Sequence, residues 1–263
     1  MKFLVLQHIE IEHPGIFRDF MREDGIVWDA VELDEGEGIP PLEGYDALIS
    51  MGGPMDVFEE DAHPWIADEK AAIREAVTAR GMPFLGVCLG HQLLAAALGG
   101  RVETMAEPEV GVLAVDLTAA GRADPLLAGL DASVTCLQWH GCAVTAPPAG
   151  AVVLASSERC AVQAFRVGRR AYGLQYHVEL TPATVAEWSA VPAYRASLER
   201  VLGAGGLAPF DAEARRRMSG FNRDARILYD NFVALARGAR RARVAASSTA
   251  RVSSSAEPVS TTR

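Results

Sequence analysis

Phe84-Leu85-Gly86-Val87-Cys88-Leu89-Gly90-His91-Gln92 is the stretch on which the reading of this chain turns. An apolar, strand-like run ends in Gly-x-Cys-x-Gly, and a small-residue helical pattern from Leu93 to Leu98 follows at once. This is the layout of a nucleophile elbow, with cysteine in the place of serine. Glycines flank the central residue because a sharp strand-to-helix turn leaves little room for neighbouring side chains. The helix N-terminus beside the thiol favours its thiolate form. A buried structural cysteine needs none of this punctuation, so Cys88 is the predicted nucleophile.

Working outward, residues 1–103 alternate strand and helix signals. Phe3–Leu6, Ile26–Leu33, Ala47–Met51 and Phe84–Val87 read as strands, and Pro14 to Arg22 as a proline-started helix. Trp65 to Arg80 has helical spacing and stops at Gly81, with Pro83 just beyond. Such alternation predicts the α/β class: a mostly parallel central sheet with helices on both faces. Between 109 and 176 short strands dominate (Val112–Leu117, Val134–Gln138, Val152–Ala155, Ala161–Val167, Ala171–Tyr176), which predicts antiparallel extension strands.

Beyond Thr181-Pro182 the chain reads as helical over about 182–237. Met218, Phe221, Ala225, Leu228, Phe232 and Leu235 form a stripe at spacings of 3 and 4. It suits a terminal helix packed on the body, or else a partner-binding helix. One domain over 1–237 is expected, followed by a disordered Arg/Ala/Ser-rich tail over 238–263.

The 263 residues carry a net charge of −9, unevenly placed. Six Arg and one Glu from Arg237 onward make a local +5, so residues 1–236 stand at −14. An acidic body is unsuited to gripping nucleic-acid phosphates, so no nucleic-acid partner is expected. The first apolar run is too short for a signal peptide or membrane span, so no membrane association is expected. Cys88, Cys136, Cys142 and Cys160 show no CxxC pairing, which suits a reducing cytoplasm. There is no GxxxxGK[ST], no HExxH and no metal-ligand spacing, so no cofactor or metal is expected.

A thiolate nucleophile needs a base, and the base an orienting group. His91 is fixed inside the helix of the elbow. His177 follows Ala171-Tyr172-Gly173-Leu174-Gln175-Tyr176, and Glu179 stands two residues on. On an extended segment those two side chains share a face.

Gly-Val-Cys-Leu-Gly-His-Gln together with Tyr-Gly-Leu-Gln-Tyr-His-Val-Glu resembles the class I (triad) glutamine amidotransferase domain. Leu48-Ile49-Ser50-Met51-Gly52-Gly53-Pro54-Met55 is similar to that family's oxyanion strand. Gln138-Trp139-His140-Gly141 is similar to its glutamine-contacting segment, closest to the GMP-synthetase-like branch in stand-alone form. The resemblance implies a flavodoxin-like architecture and a Cys88, His177, Glu179 triad. Cys88 attacks the side-chain amide of glutamine, forms a thioester and releases ammonia for a separately encoded synthase. Backbone N–H groups of Gly53 and Leu89, with Gly52 the weaker candidate, hold the oxyanion. Gln92, Gln138, Trp139 and His140 are the implied substrate contacts. Two departures stand out: Val178 replaces the usual proline between His and Glu, and Cys142 replaces the aspartate that often follows His-Gly.

The same triad serves a stand-alone hydrolase of γ-glutamyl peptides or amines, with water as acceptor. A catalytically idle regulatory protein would not need the triad residues. In a dienelactone-hydrolase-type Cys elbow the acid precedes the histidine, whereas Glu179 follows His177.

Overall fold

In the computed structural model, which describes residues 1–254 in backbone and 1–246 in side-chain detail, nine strands form one sheet. They are β1 (Lys2–Gln7), β2 (Val27–Glu32), β3 (Ala47–Ser50), β4 (Phe84–Val87), β5 (Arg101–Leu117), β6 (Ser133–Ala146), β7 (Val152–Ser156), β8 (Ala164–Val167) and β9 (Ala171–Leu174). The order is β2-β1-β3-β4-β9-β8-β7-β5-β6. The first five in that order are mutually parallel, and every pairing from β9 outward to β6 is antiparallel.

Alternation along the central strands decides which helix covers which face. Phe3, Val5, Ile49, Leu85 and Val87 point to one side, against Met21 of α1 (Phe17–Glu23) and Leu228 and Phe232 of α7 (Leu207–Ser254). Leu4, Leu6, Leu48 and Phe84 point to the other, against α2 (Trp65–Arg74) and α3 (Leu89–Ala97) through Ile66, Ile73, Leu93 and Leu94. The central strands are buried on both faces, which is why they read as unbroken apolar runs. A third cluster of Trp139, Leu180, Trp188, Tyr194, Leu198, Phe210 and Phe221 joins β6 to α5 (Thr184–Trp188), α6 (Pro192–Leu202) and the start of α7. Among the described residues, no helix is long and apolar enough to cross a membrane.

Two boundaries differ from the sequence reading. β5 and β6 form a far longer hairpin than expected, with the Thr104-to-Glu109 irregularity inside it. The second difference is at the C-terminus, where the composition predicts a disordered tail from 238. α7 instead passes through Gly238 and continues to Ser254, and residues 255–263 lie outside the described residues. Ala and Arg are strong helix formers. Ala239 is buried, Arg237 reaches Asp24 at 3.4 Å, and Arg240 and Arg243 reach Asp46 at 3.7 and 2.5 Å. The stripe residues Phe221, Ala225, Leu228 and Phe232 are buried against the body.

Candidate active site

The carboxyl ends of the parallel strands are where open α/β sheets place their ligands, and four of them converge here. His8 follows β1, Gly52-Gly53 follows β3, Cys88 follows β4, and His177 lies just past β9. Cys88 caps α3 with φ 52° and ψ −103°, the single non-glycine residue of positive φ among the described residues. The flanking glycines are required by contact: a Cβ on Gly86 would lie 2.3 Å from the Gly90 carbonyl oxygen, and one on Gly90 2.1 Å from that of Ser50. The elbow is held by Cys88 N–H donating to Leu174 O at 2.8 Å and Gly90 N–H to Met51 O at 2.9 Å.

His177 is not part of a continuous strand, because β9 ends at Leu174. A two-hydrogen-bond bridge to Leu137 of β6 holds it instead, at 2.9 and 3.0 Å. Its ring packs edge-on against Trp188, 4.7 Å between centroids. Nδ1–H donates to Glu179 Oε1 at 2.6 Å, which leaves Nε2 for the electrostatic interaction with Cys88. Glu179 is fixed by the Val178 N–H, which donates to Oε2 at 2.9 Å. The Val178 departure thus keeps an N–H that proline would lack, and the carboxylate uses it.

Burial opposes charge on both members of the thiol–imidazole pair. It raises the Cys88 thiol, and His177 pulls it back. It would also depress His177, but Glu179 and then Cys88 outweigh it and hold the imidazole well above its usual value. The remaining cysteines have no such partner: burial pushes Cys142 up to about 12 and Cys160 up to about 11.

A cavity of about 160 Å³ opens beside the thiol, lined by Gly53, Cys88, Leu89, Gln92 and Asp56 among others. It is smaller than a drug-sized pocket and suits a compact substrate. Of the residues expected to contact substrate, Gln92, Trp139 and His140 line it. Gln92 Nε2 donates to Cys142 O and Gln175 Oε1, both at 3.0 Å, and Gln175 Nε2 approaches Cys88 Sγ at 3.7 Å. Trp139 Nε1–H is engaged with Ser197 Oγ and Tyr194 O, and the His140 ring with Glu109 and Cys142 O.

Gln138 is not brought to the cavity. It is fully buried, with Nε2 donating to Gln163 Oε1 at 2.9 Å. Strand alternation turns its side chain away from that of Trp139. Gly52 is also absent from the lining, and its carbonyl is bound to His8. Cys142 turns its S–H to Asp56 Oδ1 at 3.0 Å, so a carboxylate does reach this wall of the cavity, from the loop after β3.

Four residues escape the sequence reading: His8, Glu12, Glu69 and Asp56. His8 had a signal, since it directly follows a strand of the parallel set. Glu12 is 2% exposed, with Oε1 lacking a hydrogen-bond partner and Oε2 lying 1.9 Å from where a Cβ on Gly52 would sit. Burial raises its carboxyl to about 7, against the opposing pull of His177 and His8.

Fold and site are those of an α/β protein with a cysteine elbow at the carboxyl edge of its sheet. Comparison with known proteins gives the family: the class-I glutamine amidotransferase sequence model matches residues 22–187, and the chain belongs to that family. It is 33% identical over 189 residues to the glutamine amidotransferase-like protein YfeJ of Salmonella typhimurium, covering 70% of this chain and 78% of that one. It is 33% identical over 153 residues to a subunit of the glutamine-hydrolysing GMP synthase of Sulfolobus acidocaldarius, covering 58% and 77%. The crystal structure of a glutamine amidotransferase from Thermotoga maritima superposes with a TM-score of 0.79 at 29% identity, covering 89% of this chain and 98% of that one.

Proposed function

We propose that this chain hydrolyses the side-chain amide of glutamine and supplies the ammonia to a separately encoded synthase. The observation that carries the reading is strained Cys88 at the wall of a small cavity, coupled electrostatically to His177, whose other ring nitrogen is bound to Glu179. His177 Nε2 takes the thiol proton, and sulfur attacks the amide carbon. The carbonyl electrons move to oxygen, where Gly53 and Leu89 N–H groups hold the oxyanion. Collapse expels the nitrogen, which leaves as ammonia with the proton from His177. Water, deprotonated by the same imidazole, then cleaves the thioester to glutamate. The Asp56 carboxylate matches the α-ammonium of the substrate, and Gln92 stands beside it on the cavity wall.

Glutamate release by the purified protein tests this, with glutamine and a panel of γ-glutamyl peptides and amines supplied separately. Glutamine turnover lost in Cys88→Ser is expected. Turnover undiminished in that variant would reject the nucleophile. Fast hydrolysis of γ-glutamyl peptides or amines with little glutamine activity would replace the amidotransferase reading by the hydrolase one.

A further inference from the structure

Another buried His–Glu pair, His8–Glu69, lies behind the site, on the far side of the Gly52–Gly53 peptide. His8 Nδ1 is 2.8 Å from Gly52 O and its Nε2 2.8 Å from Glu69 Oε2. Ser50 Oγ–H donates to the other Glu69 oxygen at 2.7 Å. His8, Glu69 and Ser50 have no solvent exposure, and the His8 ring is stacked on Trp65 at 5.2 Å and 15°. A carbonyl and a carboxylate are both acceptors, so an imidazolium donating from both ring nitrogens satisfies the arrangement.

Such a pair is expensive to bury. Burial works against the charge on His8, but Glu69 and the Gly52 carbonyl outweigh it and raise the group. Glu12 presses on Gly52 from beside the nucleophile and adds to that field.

The connection to chemistry runs through one peptide plane. Among the described residues the peptide bonds are all trans, so the Gly52 C=O and the Gly53 N–H point in opposite directions. Fixing the carbonyl on His8 fixes the N–H on the cavity side, where Gly53 meets Cys88 and Leu89. A charged donor on the carbonyl also polarises the amide and strengthens its N–H. The peptide is wedged as well as bonded: a Cβ on Gly53 would lie 2.9 Å from both His8 Cβ and Leu89 Cδ2.

We infer that the buried His8–Glu69–Ser50 relay is a clamp that aims and polarises the Gly53 N–H as an oxyanion donor. His8 and Glu69 are thus positioning residues, acting on the tetrahedral intermediate through the Gly52–Gly53 peptide. The inference rests on the proposed role of Gly53.

The test uses the full chain as wild type, His8→Asn and Glu69→Gln. Three quantities are read: kcat/KM for glutamine, the inhibition constant of glutamate γ-semialdehyde, and the rate of Cys88 alkylation by iodoacetamide. The aldehyde adds reversibly to the thiol and places a tetrahedral oxygen in the same position, whereas alkylation forms no oxyanion. Loss of one oxyanion donor lowers turnover about a hundredfold to a thousandfold, and partial misalignment less. The expected result is therefore a fall in kcat/KM of about tenfold or more, matched by aldehyde affinity, with alkylation and KM changing less than about threefold.

Aldehyde affinity left unchanged would overturn the clamp, as would turnover and alkylation falling together. Should the variants fail to fold, nitrogen-15 spectra of wild-type histidines at pH 7 decide. Two protonated nitrogens on His8 support the clamp, and a neutral ring overturns it. Wild-type protein that hydrolyses no γ-glutamyl amide would sink the proposed function alone, because aldehyde affinity and the His8 signals still read the clamp.

Discussion

The His177–Glu179 and His8–Glu69 pairs sit on opposite sides of the same elbow and are built alike, yet they differ in how the chain makes them. Both are buried, and both have short contacts, 2.6 and 2.8 Å. The first joins residues two apart; the second spans 61 positions, from the end of β1 to α2. The first has one ring nitrogen on its carboxylate and leaves the other for the thiol. The second has both nitrogens engaged by acceptors, so it has no nitrogen left to act as a base. On the reading proposed here, identical chemical parts serve as a proton carrier in one place and a fixed dipole clamp in the other. What differs is only what the second ring nitrogen faces.

The largest expected effect breaks the comparison at its centre. Cys88→Ser lowers glutamine turnover by at least about 10⁴-fold, in line with loss of any member of a catalytic triad. Steady-state glutamate release measures this, with an unchanged circular dichroism spectrum as control. Next comes Glu179→Gln, which keeps the shape but removes the charge that holds His177 in its working tautomer. A loss of about 10³- to 10⁴-fold in kcat is expected, with Cys88 alkylation slowed as well. That second readout separates the pairs, because Glu69→Gln should leave alkylation nearly unchanged.

Glu12 offers a smaller effect on stability. Its carboxyl is raised by burial from 4.5 to about 7. Below pH 4.5 it is protonated in folded and unfolded chains alike and adds no pH dependence. Between about 4.5 and 7 the unfolded chain ionises first, so stability falls as pH rises, by about 3 kcal/mol in all. Glu12→Gln removes this slope, and its melting temperature should exceed that of wild type by more at pH 8 than at pH 5. An equal difference at both pH values would contradict the burial effect. The smallest effect is expected from deleting residues 255–263, whose composition lacks bulky apolar groups beyond one valine. A change in melting temperature below about 2 °C should result, measured by calorimetry.

How far the site is legible in the sequence follows chain separation. The elbow is legible because its requirements fall within five residues: two small flanking positions, a thiol and a helix start. His177 and Glu179 are legible because an extended backbone places i and i+2 on one side, even though the strand itself ends at Leu174. Gln138 is misread because its place next to Trp139 in sequence puts it on the opposite face of β6. Over 238–254 the expected disorder gives way to helix because low apolar content says nothing of charge pairing. Arg240 and Arg243 find Asp46, a partner that no local pattern announces.

The sequence by itself determined the α/β class, the place of the Cys88 elbow and the local His–Glu pair, since each depends on backbone geometry over a few residues. Only the tertiary structure decided that His8 and Glu69 meet behind Gly52, that Asp56 reaches Cys142, and that Glu12 is buried at the nucleophile. Those meetings arise from strand order. Placing β1 between β2 and β3, with α2 packed over them, converges side chains that no spacing rule connects.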